Sequence, residues 1–263
     1  MSRAVVRPDV SVALAVWRAL FLREASTRLS TGRAPWLWLL LEPAAHIIVL
    51  MVITGVIQHR VMPGINIEIF ILIGVCGFFL VRNVASRGME AINANMALFA
   101  YRQVRPVDTV LVRAAVEAVV YVMVAAILLC CLALFGVDVR PTNPLLLAWA
   151  AFLLWVFGIG LALSFSVAGR LLPEAGRLIR LVFTPLYFLS AVMYPVASIP
   201  HRLRDVLLFN PIVHGLEGMR GAYFARYHGD AHIDLGYLGF CSLSALLLGL
   251  ALHTRFATRM VAQ

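Results

Sequence analysis

The stretch "LLLAWAAFLLWVFGIGLALSFSVA", residues 145–168, contains no charged residue. A helix needs ~20 predominantly apolar residues to cross the hydrocarbon core of a bilayer, and this run is long enough. Five further apolar blocks approach the same length, at residues 37–57, 65–81, 110–135, 178–196 and 235–253. Across all 263 residues, 62% are hydrophobic and 13% charged, against about 25% charged in ordinary soluble domains. The short alternating segments of an outer-membrane barrel are absent. The fold class expected is therefore all-α and integral to the membrane, with six transmembrane helices.

The net charge of +9 takes its meaning from where the charges fall. All 22 basic residues are arginine. Arg3, Arg7, Arg18, Arg23, Arg28 and Arg33 precede the first block; Arg82, Arg87, Arg102 and Arg105 lie between the second and third. Arg170, Arg177 and Arg180 lie between the fourth and fifth, and Arg255 and Arg259 in the tail. The other side receives Arg60, Arg140, Arg202, Arg204, Arg220 and Arg226, while Arg113 falls inside the third block. Positive residues are retained on the cytoplasmic side, so both termini are expected there, and the charge does not point to nucleic acid. Residues 10–22 form an apolar stretch too short to span, containing Arg18 and followed by no cleavage-site pattern. They read as an interfacial helix within a cytoplasmic N-terminus of residues 1–34, ahead of a single transmembrane domain at 35–263.

Several chemistries are excluded by composition. Without Lys the chain cannot form a Walker A loop or a Schiff base, and neither H-E-x-x-H nor G-x-S-x-G occurs. No bound cofactor, metal site or enzymatic activity is expected. Cys76, Cys130, Cys131 and Cys241 sit in apolar runs and read as small buried hydrophobes. The glycines of "GIGLALSFSVAGR" lie mid-block, where small residues let helices approach.

Two segments do not fit simple spans. In "RNVASRGMEAINANMALFAYRQVRPVD", residues 82–108, Met89, Ile92, Met96 and Phe99 recur at helical spacing and form one apolar stripe. Glu90, Asn93 and Tyr101 fall elsewhere on the wheel, and Arg105-Pro106 terminates the helix. Such a helix either rests on lipid or docks, through Met and Phe anchors, in another protein's groove. The second segment, residues 190–234, holds two short apolar helices broken at Asn210-Pro211. They are too short to span and read as dipping into the outer leaflet and returning, which requires protein to cover their ends.

With its basic N-terminus leading into "WLWLLLEPAA", its amphipathic loop, and the run "LSAVMYPVASIP … LFNPIVHGLEGMR", the chain resembles the ABC-2 type export permeases. It is most similar to the KpsM-type capsular polysaccharide permeases, over nearly its whole length. The pattern NP-x-x-H-x-x-E-x-x-R, carried by Asn210, Pro211, His214, Glu217 and Arg220, is the most specific part of the likeness, followed by "LEP" at residues 41–43. The resemblance implies a homodimer with a channel at its interface, driven by two copies of a separate cytoplasmic ATPase that uses ATP and Mg. It implies that Met89, Glu90, Ile92, Asn93, Met96, Phe99 and Arg102 couple to that ATPase, and that the Asn210–Arg220 run lies in periplasmic re-entrant helices near the polymer exit. Further periplasmic and outer-membrane export components would continue the route.

A sliding polymer needs weak, repeated contacts. Trp36, Trp38, Trp155, Tyr187 and Tyr194 are the aromatic candidates, although Trp and Tyr gather at membrane interfaces anyway. Intramembrane ionisable groups face protein or water rather than lipid. Glu42 and His46, four apart on one face, are candidates for a cytoplasmic gate and channel entrance, with Glu42 paired to Arg33, Arg82 or Arg113; a purely structural Glu–Arg bond is the alternative. Arg113 and Glu117 read as a local pair, or Arg113 and Arg180 give the channel mouth a positive potential. The cargo expected is a lipid-linked capsule-like polysaccharide. O-antigen, teichoic acid or a small molecule are alternatives, and an ion-coupled secondary transporter using Glu42 and Glu117 is a further one.

Overall fold

A computed structural model describes residues 10–30, 37, 41–50, 65–101, 103–172, 174–227, 229–230 and 232–261. The described residues are mostly helical, without a strand. In chain order the helices are α1 (Val10–Ser30), α2 (Leu41–Leu50), α3 (Ile67–Met89), α4 (Ala91–Ala94), α5 (Pro106–Leu134), α6 (Pro144–Leu171), α7 (Ala175–Phe188), α8 (His201–Leu207), α9 (Pro211–Tyr223), α10 (Leu235–Arg255) and α11 (Ala257–Val261). Four of them, α3, α5, α6 and α10, are long and apolar enough to cross a membrane. The chain is thus an all-helical integral membrane protein. Of the first expected span only Leu37 and α2 are described; the rest lies outside the described residues.

Local chemistry sets the helix ends. Arg105 is extended (φ −104°, ψ 149°) as a residue before Pro must be, and Pro106 opens α5 where its missing N–H is not needed. Asn143 accepts from Leu146 N at 3.1 Å to cap α6, again with Pro at the first position. Gly136 follows α5 at φ +84°, a left-handed conformation that costs glycine little. The fifth apolar block, expected to remain helical through residue 196, instead leaves the helix at Phe188. Within α7, Pro185 has no N–H to donate, and after Leu189 the chain turns tightly, with Ala191 at φ 55°.

α3 lies at the centre, with every residue from Ile69 to Phe79 buried. Around it pack α5, α6, α7 and α9, and α10 completes the bundle against α6. α6 and α10 approach closely at Gly160, where an added Cβ would lie 2.5 Å from the Ala245 carbonyl carbon of α10; this is the packing role expected of the small residues in α6. The bundle has two ends. At one, α4 and α11 pack around Val110 and Val167, with α1 laid against α5; at the other, α9 is buried among α3, α6 and α10. Of the cysteines, Cys76 is buried, whereas Cys130 and Cys131 lie on the outer surface of α5, contrary to the expectation that all four are core residues.

Candidate functional site

At the α1 end, charged side chains tie three helices together. Trp17, Glu24 and Arg28 share one face of α1, at spacings of seven and four. Trp17 Nε1 donates to Asp108 Oδ1 at 3.0 Å, Arg113 Nε donates to Glu24 Oε1 at 2.6 Å, and Arg28 Nε lies 3.1 Å from Glu117 Oε1. Arg87, near the end of α3, brings its Nε within 2.7 Å of the same Glu117 oxygen, and Arg113 Nη1 donates to the Arg87 carbonyl at 3.0 Å. The expected local pair between Arg113 and Glu117 is therefore not formed; each residue is paired to another helix. Both are committed to this junction.

A second cluster forms an amphipathic groove of about 400 Å³ between α2, α3 and α7. Its apolar part is aromatic: His46 meets Phe79 edge-on at 5.2 Å and Tyr187 at 5.5 Å, and Tyr187 meets Phe78 at 5.1 Å. Asn83, Ser86 and Thr184 add polar groups, and Arg82 and Arg180 provide positive charge. Arg82 lies over the Phe79 ring at 5.0 Å and pairs with Glu42 at 3.6 Å, while Arg113 pairs with Glu24 and Arg33 lies outside the described residues. Arg180 Nη1 donates to Glu90 Oε1 at 2.6 Å. Three of the gate and channel candidates, Glu42, His46 and Arg180, and the aromatic candidate Tyr187 thus converge here.

The segment after α3 departs from expectation. In place of one amphipathic helix through residue 102, the chain breaks at Glu90, makes the single turn α4, and continues as a 3-10 turn over Met96–Ala100. Met89 is 3% exposed and Ile92 0%, both packed within the chain, and Met96 and Phe99 cover the core formed with α5, α6 and Met260. Met89 and Ile92 are therefore taken up by the bundle itself, with Met96 and Phe99 half-buried against it. What faces outward is the opposite side: Glu90, Asn93, Ala94, Ala97, Ala100 and Tyr101. Asn93 Oδ1 also accepts from Arg170 at 3.4 Å. Arg102 lies outside the described residues.

At the other end, the N-P-x-x-H-x-x-E-x-x-R run builds a clamp. Asn210 caps α9 by accepting from Ile212 N at 3.0 Å, and its amide donates to Leu189 O at 3.1 Å and Ser190 Oγ at 2.9 Å. Pro211 occupies the first helical position. The three-residue spacing then places His214, Glu217 and Arg220 on one face. His214 Nδ1 accepts from Asp234 N at 2.9 Å, which leaves Nε2 as the donor to Leu208 O at 2.8 Å. Arg220, fully buried, donates to Ala191 O at 2.8 Å, Val192 O at 2.7 Å and Glu217 Oε1 at 2.9 Å, with its guanidinium 3.6 Å over the Phe70 ring. Tyr227 completes Glu217 at 2.7 Å. The carbonyls freed where α7 ends early are thereby satisfied, and those at the end of α9 accept from Thr142 N and Asn143 N at 3.0 and 2.8 Å. Both ends of a short buried helix are covered by protein.

Among the aromatic candidates, Tyr187 lines the groove. Trp155 does not; its indole donates to Ala114 O at 2.9 Å and holds α6 to α5. Tyr194 donates to Phe188 O at 2.5 Å and belongs to the clamp. Trp36 and Trp38 lie outside the described residues. Sequence reasoning missed Glu24, Arg28 and Arg87 as a junction, and Phe78, Phe79, Asn83 and Ser86 as groove residues. Polar residues one turn apart at 82, 83, 86 and 87, closing an otherwise apolar helix, were the available signal.

The described residues form an apolar helical bundle with an arginine-and-aromatic groove. The ABC-2 type transporter family matches residues 15–224, and the chain belongs to it. It is 40% identical over 237 residues to the polysialic acid transport protein KpsM of Escherichia coli, covering 89% of this chain and 91% of that protein. It is 31% identical to the capsule polysaccharide export inner-membrane protein CtrC of Neisseria meningitidis serogroup A, covering 91% and 90%. To the capsule polysaccharide export inner-membrane protein BexB of Haemophilus influenzae it is 26% identical, covering 92% and 91%.

Proposed function

We propose that the chain is the permease subunit of an ATP-driven exporter that moves a lipid-linked, capsule-like polysaccharide across a bacterial inner membrane. Membership of the ABC-2 family over most of the chain supports the transporter class, and near full-length similarity to capsule export proteins supports the cargo class. The observation that carries the reading is the groove of His46, Arg82, Arg180 and Tyr187. It offers flat rings to sugar faces and guanidinium groups to acidic substituents, without enclosing a small solute.

In this reading α2 and α7 belong to the first and fifth of six spans, both termini are cytoplasmic, and α1 lies at the membrane surface. α8 and α9 are the re-entrant pair on the periplasmic side; the capped ends of α9 support this, since irregular backbone at membrane depth must be covered by protein. A single copy presents an open groove, and a second copy facing it would close a passage, which supports a homodimer. Within this sequence there is no Lys for a Walker A loop, so ATP and Mg chemistry belongs to two copies of a cytoplasmic ATPase. The exposed side of the α3–α4 turn is where that ATPase would press. Further export components on the periplasmic side would receive the polymer.

The test is copurification of the tagged chain from its native membranes. Recovery of a Walker-A-containing subunit in equal amount is expected, together with lipid-linked polymer stranded inside cells when the chain is deleted. Normal surface polymer in the deletion strain would overturn the reading.

A further inference from the structure

One ion pair joins the groove to the turn where α3 gives way to α4. Arg180 lines the groove, and its Nη1 holds Glu90 Oε1 at 2.6 Å. Glu90 is the residue at which the chain leaves α3 and enters α4 (φ −86°, ψ −4°). The second groove cation, Arg82, is neutralised in the same manner by Glu42 at 3.6 Å. Each groove arginine is therefore held by a carboxylate from another element.

These pairs are open to exchange. The Arg180 and Glu90 side chains are 56% and 55% exposed, and exposed ion pairs are weakly held. A guanidinium prefers a partner that it can engage through two parallel hydrogen bonds, as carboxylates and phosphates allow. Beside it, the Tyr187 hydroxyl is buried with no hydrogen-bond partner among the described residues, although its ring lines the same groove.

We infer that Arg180 senses the cargo: an oxyanion of the polymer entering the groove takes the guanidinium from Glu90 and frees the α3–α4 turn. This inference rests on the proposed function, because it requires a polymer in the groove and an ATPase at the turn. It deepens that reading by assigning an anionic cargo and a route by which occupancy reaches the ATPase. No covalent step is involved; one ion pair is exchanged for another. The oxyanion has two sources, an acidic sugar or the phosphate of a lipid anchor.

The test uses the complex of this chain with its ATPase in phosphatidylcholine nanodiscs and reads ATP hydrolysis with and without probe. The probes are an acidic oligosaccharide, its carboxyl-reduced neutral counterpart, and phosphatidylglycerol included in the nanodisc. A several-fold rise with the acidic sugar assigns the sugar carboxylate, and a rise with phosphatidylglycerol assigns the anchor phosphate; either supports the inference. Glu90→Gln and Arg180→Gln are expected to raise hydrolysis without probe and to lose most of the response. The double exchange, Arg180→Glu with Glu90→Arg, rebuilds an ion pair with the charges reversed, and the response to acidic probe is expected to be lost. A double exchange that responds like the wild type, equal stimulation by the neutral sugar, or no stimulation by any probe in a complex that exports polymer would overturn the inference. Those results would leave the permease reading intact, which instead fails if no ATPase complex forms.

Discussion

Glu117 on α5 lies 2.7 Å from Nε of Arg87 on α3, and the same oxygen lies 3.1 Å from Nε of Arg28 on α1. One carboxylate, 1% exposed, therefore fixes two helices to a third. A charge so placed is tolerated because cations surround it; removing it leaves those cations poorly compensated.

Replacing Glu117 by Ala is therefore expected to destabilise the protein. Breaking a fully buried pair costs about 3–5 kcal/mol, and partial exposure of both arginines lowers that here to roughly 2–4 kcal/mol. The control is Glu174→Gln, whose pair with Arg177 is almost entirely solvated and which is expected to shift stability by less than about 0.5 kcal/mol. Thermal unfolding of the detergent-purified variants decides; equal midpoints for the two would contradict the junction.

Gly74 and Gly221 make a matched pair. An added Cβ at Gly74 would lie 2.4 Å from Val192 O and 2.6 Å from Nη2 of Arg220, whereas at Gly221 nothing lies within 4 Å. Gly74→Ala should loosen the clamp and cost about 1–3 kcal/mol, the range for overpacking. Gly221→Ala, in a helix interior, should stabilise by about 0.4–1 kcal/mol. Opposite signs in a thermal-shift measurement are expected, and a harmless Gly74→Ala would show that α9 is not held as described.

The two sides of the α3–α4 turn should behave differently. Ile92→Ala removes a fully buried side chain and is expected to lower stability by about 2–5 kcal/mol. Tyr101→Ala alters the exposed side and should leave unfolding unchanged while reducing recovery of the ATPase in copurification. Loss of ATPase binding in Ile92→Ala at full stability, with Tyr101→Ala silent, would restore the apolar stripe as the docking surface.

Asp230 carries a pH signature in the loop between α9 and α10. Burial alone would raise its carboxyl, but hydrogen bonds from the His232 backbone and side chain, with Arg204 at 2.7 Å, outweigh that and hold it below the usual carboxylate range. A lowered pKa in the folded state stabilises above the unfolded value and is lost as pH falls through the folded one. The stability gap between wild type and Asp230→Asn should be constant from neutral pH down to about pH 5 and close below about pH 4. A gap that widens on acidification would reverse the assignment.

What the sequence displayed and what it concealed divide along physical lines. α6 was legible to within a few residues because an uncharged run is bounded by Asn143-Pro144 and Arg170, and membrane insertion depends on that local property. The face shared by His214, Glu217 and Arg220 was legible because helical spacing is local too. The partner of Arg113 was not, since Glu24 lies 89 residues away and four-residue spacing suggested Glu117 instead. The stripe of Met89, Ile92, Met96 and Phe99 announced an apolar surface, but amphipathicity does not say whether the cover is lipid, another protein or the chain's own α5 and α6. The early end of α7 was concealed for a similar reason: residues 189–196 are apolar enough for a span, and it is the distant Asn210 and Arg220 that satisfy the Leu189, Ala191 and Val192 carbonyls.

The central claim is tested most directly by transport in proteoliposomes containing the purified chain with and without its ATPase, supplied with lipid-linked polymer on one side. Movement of polymer to the far side is expected only when both subunits and ATP are present, with loss in Arg180→Gln. Transport by this chain alone, or by the complete complex without ATP, would contradict the account.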